Sequence, residues 1–108
     1  MVEDMKRFDI YLVKLNPTVG SEIQKTRPCI IISPDEMNIL KTVIVAPMTS
    51  KGFDFIFRPR IIFEDKEGLV LLDQIRTVDK SRLVKKIGTV EKEVSKEISK
   101  MLVQMFEY

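Results

Sequence analysis

Three short polar clusters in this 108-residue sequence contain residue types that can grip a phosphate: Gly20-Ser21-Glu22 with Arg27, then Thr49-Ser50, then Asp73-Gln74 with Arg76. An arginine offers a planar fork of donors for two oxygens at once, and a threonine or serine hydroxyl adds a donor that rotates to suit. Each cluster alone also has a plain reading, as a turn, a strand terminator or an Asp73–Arg76 ion pair. The sequence has no histidine, which removes the commonest general acid or base and the commonest zinc ligand. Chemistry must therefore use carboxylates, hydroxyls, Lys, Arg or Tyr. Glu64, Asp65 and Glu67 lack the spacing of a cation-binding loop and read as a charged turn, so no metal and no cofactor is expected. The single cysteine, Cys29, lies in a β-branched run and is expected to be buried and inert.

The elements that must position these clusters follow from periodicity. Residues 8–15 alternate as Phe8, Ile10 and Leu12 against Asp9, Tyr11 and Val13, with Lys14 leading to a turn at Asn16-Pro17, giving a first strand. Residues 16–26 (NPTVGSEIQKT) form a loop longer than the usual four to six. RPCIIIS over 27–33 is a second strand, and Ser33-Pro34 reads as an N-cap and first helical position for a short turn through Leu40. TVIVAP over 42–47 is a third strand. The β-prone stretch 55–63 is broken by Pro59, with Phe55, Phe57 and Phe63 alternating toward a core. Residues 64–68 are a charged turn, 69–72 a core strand, and 84–88 a last short strand after a turn that Asp79 could cap. From Val90 onward Val94, Ile98, Met101, Leu102 and Met105 follow helical spacing, with Thr89 and Glu91 competing for the N-cap.

Several strands and one terminal amphipathic helix, without strand–helix–strand alternation, predict an α+β domain over residues 1–108, a small antiparallel barrel or sandwich. A length of 108 residues and a 44% apolar share fit one domain that buries about two thirds of its unfolded surface. No apolar run approaches the roughly 18 residues of a membrane span. The first ten residues show no leader pattern, so a soluble cytoplasmic protein is expected. Net charge is only +2, but between residues 76 and 86 five bases (Arg76, Lys80, Arg82, Lys85, Lys86) face one acid, Asp79.

Taken together, NPTVGSEIQKTRPCIIIS, IVAPMTSK and LVLLDQIRTVD resemble, in order and spacing, the MazF/PemK/Kid family of toxin endoribonucleases. The resemblance covers nearly the whole chain. It implies an SH3-like β-barrel of the CcdB/PemK type with short helices, a homodimer, cleavage of single-stranded RNA without a metal, and an acidic antitoxin laid across the RNA groove. By the same resemblance Glu22, Arg27 and Thr49 match the family's catalytic positions, and Asp73, Gln74 and Arg76 match its DQxR segment. Gly20, Ser21 and Ser50 fall with the RNA-contacting loops, and Asp73 takes an orienting role. Ile23 and Lys25 depart from the common Gln and Gly, which predicts a stiffer loop and a different base preference. The Kid-like branch uses a histidine and an arginine before its DQ pair. Here no histidine exists and Leu71 holds the arginine's place, so that acid–base assignment does not transfer.

RNA cleavage without a metal uses the ribose 2′-OH as nucleophile and yields a 2′,3′-cyclic phosphate and a 5′-OH. Arg27 suits a bidentate grip on the phosphate oxygens but is a poor base. Thr49 either hydrogen-bonds the same phosphate or relays a proton. Glu22 is open to three readings: general base, reader of an RNA edge, or loop anchor. RNA binding draws on Arg27, Arg76 and the Lys80, Arg82, Lys85 and Lys86 segment, with Phe53 or Tyr11 as stacking faces. The apolar residues Met101, Leu102, Val103, Met105 and Phe106 crowd the last two helical turns, which predicts a second copy as partner. Two rivals are a CcdB-like gyrase-binding toxin, which has no need of an arginine–hydroxyl pair, and a non-catalytic nucleic-acid-binding barrel.

Overall fold

The computed structural model describes residues 5–108. Its strands are β1 (Asp9–Lys14), β2 (Thr26–Ile31), β3 (Thr42–Thr49), β4 (Arg60–Phe63), β5 (Lys66–Val70), β6 (Arg76–Asp79) and β7 (Leu83–Thr89), followed by one helix, α1 (Lys92–Phe106). The strands pair antiparallel in the order β4-β5-β3-β2-β1-β7, and β6 joins β3 off this path. The result is a curled sheet, a half-barrel, with the helix against one side, and the α+β expectation holds.

The sheet is buried on both faces, which is why β1 and β2 read as nearly continuous apolar runs. Tyr11, Val13, Cys29, Ile31, Val43, Val45 and Val78 pack on one face. Ile10, Ile30, Ala46, Met48, Ile61 and Val70 pack on the other, where Val94, Ile98, Met101, Leu102 and Met105 of α1 cover them. The helical stripe is thus accounted for. Glu91 is the N-cap of α1 without a capping side-chain bond, while the Thr89 hydroxyl donates instead to buried Asp9 at 3.2 Å. Asp79 does cap the short turn after it, accepting from the Ser81 N–H.

Four local expectations change. Ser33 is not an N-cap: it is buried, and its hydroxyl oxygen accepts the Ile44 N–H at 3.2 Å, leaving the turn Asp35–Ile39 to start at Pro34. The charged stretch 64–68 shrinks to a two-residue hairpin turn, since Glu64 and Asp65 both sit at positive φ (52° and 61°), the twist a tight hairpin needs. Phe55 is 52% exposed and lies outside any strand, whereas Phe57 and Phe63 pack on the core as expected. Tyr11 is 4% exposed and cannot serve as a stacking face.

One topological detail builds the site. β5 and β6 lie end to end along the same edge of β3, β5 opposite Met48 and Thr49 and β6 opposite residues 42–45. Between them the chain bulges into a 3₁₀ turn over Leu72–Gln74, tied down where the Leu71 N–H donates to the Pro47 carbonyl at 2.8 Å. The DQ pair is the tip of that bulge.

Candidate functional site

Arg27 is the second residue of β2, and Pro28 follows it near the strand's start, where a missing N–H is tolerated. The β2–β3 register pairs Cys29 with Pro47. Continued by two residues, it sets Arg27 opposite Thr49 at the end of β3. Both line one cavity of about 200 Å³, with Ser50, Met48, Phe63 and Gly68 among its walls. Half-buried Arg27 donates from Nε to the Gln24 carbonyl at 3.0 Å, which orients the guanidinium. Its two terminal nitrogens have no partner among the described residues. The Thr49 Oγ1 accepts the Lys51 N–H at 3.2 Å, so the hydroxyl proton remains available to donate. Two terminal nitrogens and one hydroxyl thus belong to residues that border the same cavity.

A second cavity, of about 540 Å³, brings together Ser21, Glu22 and Ile23 from the long loop and Asp73, Gln74, Ile75 and Arg76 from the bulge. Here the predicted residues hold one another in place. The Gln74 Oε1 accepts the Ile23 N–H at 2.7 Å and its Nε2 donates to the Ser21 carbonyl at 3.4 Å. Glu22 accepts the Val19 N–H at 2.7 Å through its carboxylate while its own N–H donates to the Val19 carbonyl at 3.1 Å, closing a reciprocal turn. Arg76, half-buried, donates to the Leu15 carbonyl at 3.1 Å. Gly20 sits at φ +57° in this loop, a conformation glycine adopts at no steric cost. Lys25, where the family commonly has glycine, carries φ +73°.

Asp73 is not paired with Arg76. It receives a two-bond grip from Arg58, Nε to Oδ1 at 2.9 Å and a terminal nitrogen to Oδ2 at 2.8 Å, and these bonds hold its carboxyl below the usual carboxylate range. Sequence reasoning missed Arg58. The signal for it lay only in its proximity to Pro59 in a loop, and its partner is 15 residues away. Arg58 also lies over the rings of Phe53 and Phe55, at 5.1 and 5.9 Å from their centroids.

The basic segment is largely occupied. Lys80 donates to the Asn38 carbonyl, Arg82 to the Lys14 and Asn16 carbonyls, and Lys86 pairs with Asp9 at 3.3 Å. Lys80 and Arg82 line neither cavity. Arg82 instead pins the start of the long loop. Cys29 is buried and its thiol is pushed up to about 12, burial outweighing the nearby Arg76 charge. Among the described residues no group of three His, Cys, Asp or Glu is placed to hold a metal ion, and no helix is long and apolar enough to cross a membrane.

These features define a small α+β protein that presents an arginine and a hydroxyl at one end of a curled sheet, with a loop braced against a DQ bulge beside them. Residues 6–106 match the family model described as PemK-like, MazF-like toxin of type II toxin–antitoxin system, and the chain belongs to that family. It is 37% identical over 102 residues to an Endoribonuclease MazF of Staphylococcus saprophyticus, spanning 88% of this chain and 85% of that one. Among solved structures it resembles MazF (Form-I) from Deinococcus radiodurans with a TM-score of 0.83 at 20% identity, over 96% and 97% of the two chains. An endoribonuclease in complex with its cognate antitoxin from a Mycobacterial species aligns with a TM-score of 0.77 at 20% identity, over 93% and 92%.

Proposed function

We propose that this chain is an endoribonuclease toxin that cuts single-stranded RNA without a metal, in the cytoplasm, by attack of the ribose 2′-OH on the adjacent phosphate. The observation that carries this reading is Arg27, with both terminal nitrogens unpartnered, facing the same cavity as the Thr49 hydroxyl. In the pentacoordinate transition state the extra charge falls on the non-bridging oxygens. Fixed donors aimed there lower the barrier without having to reorganise. Arg27 grips two of those oxygens and Thr49 donates to one, while Ser50 borders the phosphate path. Of the three readings of Glu22, loop anchor is the one its reciprocal bonds with Val19 support. Glu22 then acts by positioning Ser21 and Gly20 along the strand of RNA. Gln74 and Arg76 brace that loop and the end of β1, Asp73 holds Arg58, and Arg82 fixes where the loop begins.

The toxin works as a homodimer with an acidic antitoxin as its inhibitor. Met101, Leu102 and Met105 pack on their own core, but Val103 and Phe106 remain 66% and 70% exposed at the end of α1, and a second copy covers them. The solved toxin–antitoxin complex of a structural neighbour supports the inhibitor assignment.

The test is incubation of the purified protein with RNA in EDTA. Discrete fragments with 2′,3′-cyclic phosphate or 3′-phosphate ends and 5′-hydroxyls are expected. A substrate with 2′-deoxyribose at the cleaved position should bind and stay whole. Fragments with 5′-phosphates, or cutting restored only by magnesium, would show that water is the nucleophile and overturn the mechanism.

A further inference from the structure

The segment between Ser50 and Arg60 puts two aromatic rings largely in solvent. Phe53 is 66% exposed and Phe55 52%, and Ile56 beside them is exposed too. The two rings meet edge to face, 6.4 Å apart and at 84° to one another. This arrangement is held firmly. Arg58 lies over both rings, and the same guanidinium is clamped by two bonds to Asp73. Asp54 is tied to Arg60 at 2.6 Å. The segment thus leaves the Arg27–Thr49 cavity at Ser50 and is anchored at Arg58 to the DQ bulge that lines the second cavity. The rings thus lie on the stretch of chain that joins Ser50, at the wall of the first cavity, to Arg58, whose partner Asp73 lines the second.

We propose that Phe53, Phe55 and Arg58 form a preorganised ledge on which an unpaired nucleobase flanking the cleaved phosphate stacks. The inference rests on the ribonuclease reading above and adds to it the ligand of a surface that reading leaves unused. Its chemistry is specific: unpaired bases stack on aromatic faces and on guanidinium planes, and such contacts accept every base with a modest preference set by stacking strength. Asp73 contributes by neutralising Arg58 and fixing its plane. Arg58, its side chain only 16% exposed, thereby backs the two rings, and the phosphate is left to Arg27. Because the rings already meet each other and Arg58, binding a base orders less new structure than it would on free side chains.

The experiment has two arms. In the first, RNA ends produced by the wild type are sequenced to give its preferred site, and the Phe53→Leu/Phe55→Leu double variant is compared with Phe53→Tyr/Phe55→Tyr. The exposed positions make either variant safe for the fold, which thermal melting checks. Loss of two ring faces is expected to lower kcat/KM about 10-fold or more, entering mainly through KM, with base preference altered at one flanking position. The tyrosine pair should restore both. In the second arm, a short RNA of the preferred sequence carries 2′-deoxyribose at the cleaved position and 2-aminopurine at each flanking position in turn. Wild type should quench the fluorescence at one position, and the leucine pair should not. Unchanged KM and preference in the leucine pair, or quenching that persists in it, overturns the ledge while leaving the ribonuclease reading intact. A leucine pair that cuts RNA normally but binds the antitoxin more weakly assigns the rings to a protein partner and overturns it too. A wild type that cuts no RNA fails the ribonuclease reading instead. The ledge is then judged on quenching of 2-aminopurine in an unstructured RNA, and absence of quenching there overturns it as well.

Discussion

Gln74→Ala tests whether the DQ bulge works through the loop or on the RNA directly. In the structure the Gln74 Oε1 takes the Ile23 N–H at 2.7 Å in a half-buried setting, across 51 residues of sequence. Such a bond contributes about 1 kcal/mol net. The second bond, Nε2 to the Ser21 carbonyl, is 3.4 Å long and adds little at that distance. The ends of the loop keep their own ties, from the Asn16 side chain to the Lys25 N–H at 3.1 Å and from the Leu15 N–H to the Lys25 carbonyl at 3.0 Å. The variant therefore frees the middle of the loop without unfolding the sheet. Amide exchange at Ile23, followed by NMR under native conditions, should speed up about 5-fold, the equivalent of about 1 kcal/mol of local opening. Global stability in urea should fall by about 1 kcal/mol or less. Cleavage should weaken with its preferred sequence unchanged. If Ile23 exchange stays as in the wild type while the cleavage pattern changes, Gln74 reads RNA itself and the bracing argument is wrong.

Arg27→Ala should cost about 10²- to 10³-fold in kcat, the usual effect of removing one fixed donor from a developing oxyanion, with an unchanged melting temperature; Thr49→Ala should lose most activity as well, and retention of activity within a few fold in steady-state assays refutes the donor assignment. Cys29, buried with its thiol at about 12, should resist Ellman's reagent at pH 8 until the protein is unfolded in urea, and rapid labelling of the native protein would contradict its place in the core. Lys25→Gly relieves a left-handed backbone at φ +73° and should stabilise the fold by about 0.5–1 kcal/mol in urea melts, unless the contacts of this lysine outweigh the strain, which a destabilised variant would show. The Asp73 carboxyl is held low by Arg58, so the pair contributes fully above the unfolded value of about 4 and is lost as pH falls through the lower folded value; wild type should therefore lose more stability on acidification below about pH 4 than Asp73→Asn, and parallel acid titrations of the two would refute the pairing.

What the sequence made legible was whatever local chemistry decides. β1 and β2 announce themselves because a sheet buried on both faces needs unbroken apolar runs, and the stripe of α1 shows the face that covers one side. β6 was illegible: its four residues, RTVD, bury only Val78, and the strand exists because β3 offers it a free edge. The start of β5 was hidden for the same reason. Its Lys66 and Glu67 are exposed strand residues, and the turn before them uses Glu64 and Asp65 in left-handed conformations without the glycine or asparagine that would advertise it.

The site divides along the same line. Residue types and order picked out Arg27 and Thr49, and the register continuing from Cys29 and Pro47 sets the two opposite one another. They could not say what each polar group already holds. Gln74, Arg76, Lys80 and Arg82 look alike in sequence as candidates for RNA, yet all four donate to backbone carbonyls in the fold. Arg27 differs in which nitrogens are left over: its Nε alone is committed, to the Gln24 carbonyl, so both terminal nitrogens remain, whereas Arg76 and Arg82 each spend a terminal nitrogen on the backbone. An arginine that spends a terminal nitrogen on the protein must give that bond up to offer its terminal fork, whereas one with both terminal nitrogens unpaired beside a hydroxyl can grip an anion with both. That difference in which donors remain, set for Arg76 and Arg82 by partners far away in sequence, is what supports Arg27 as the arginine proposed for the chemistry and the others as residues that position the loop.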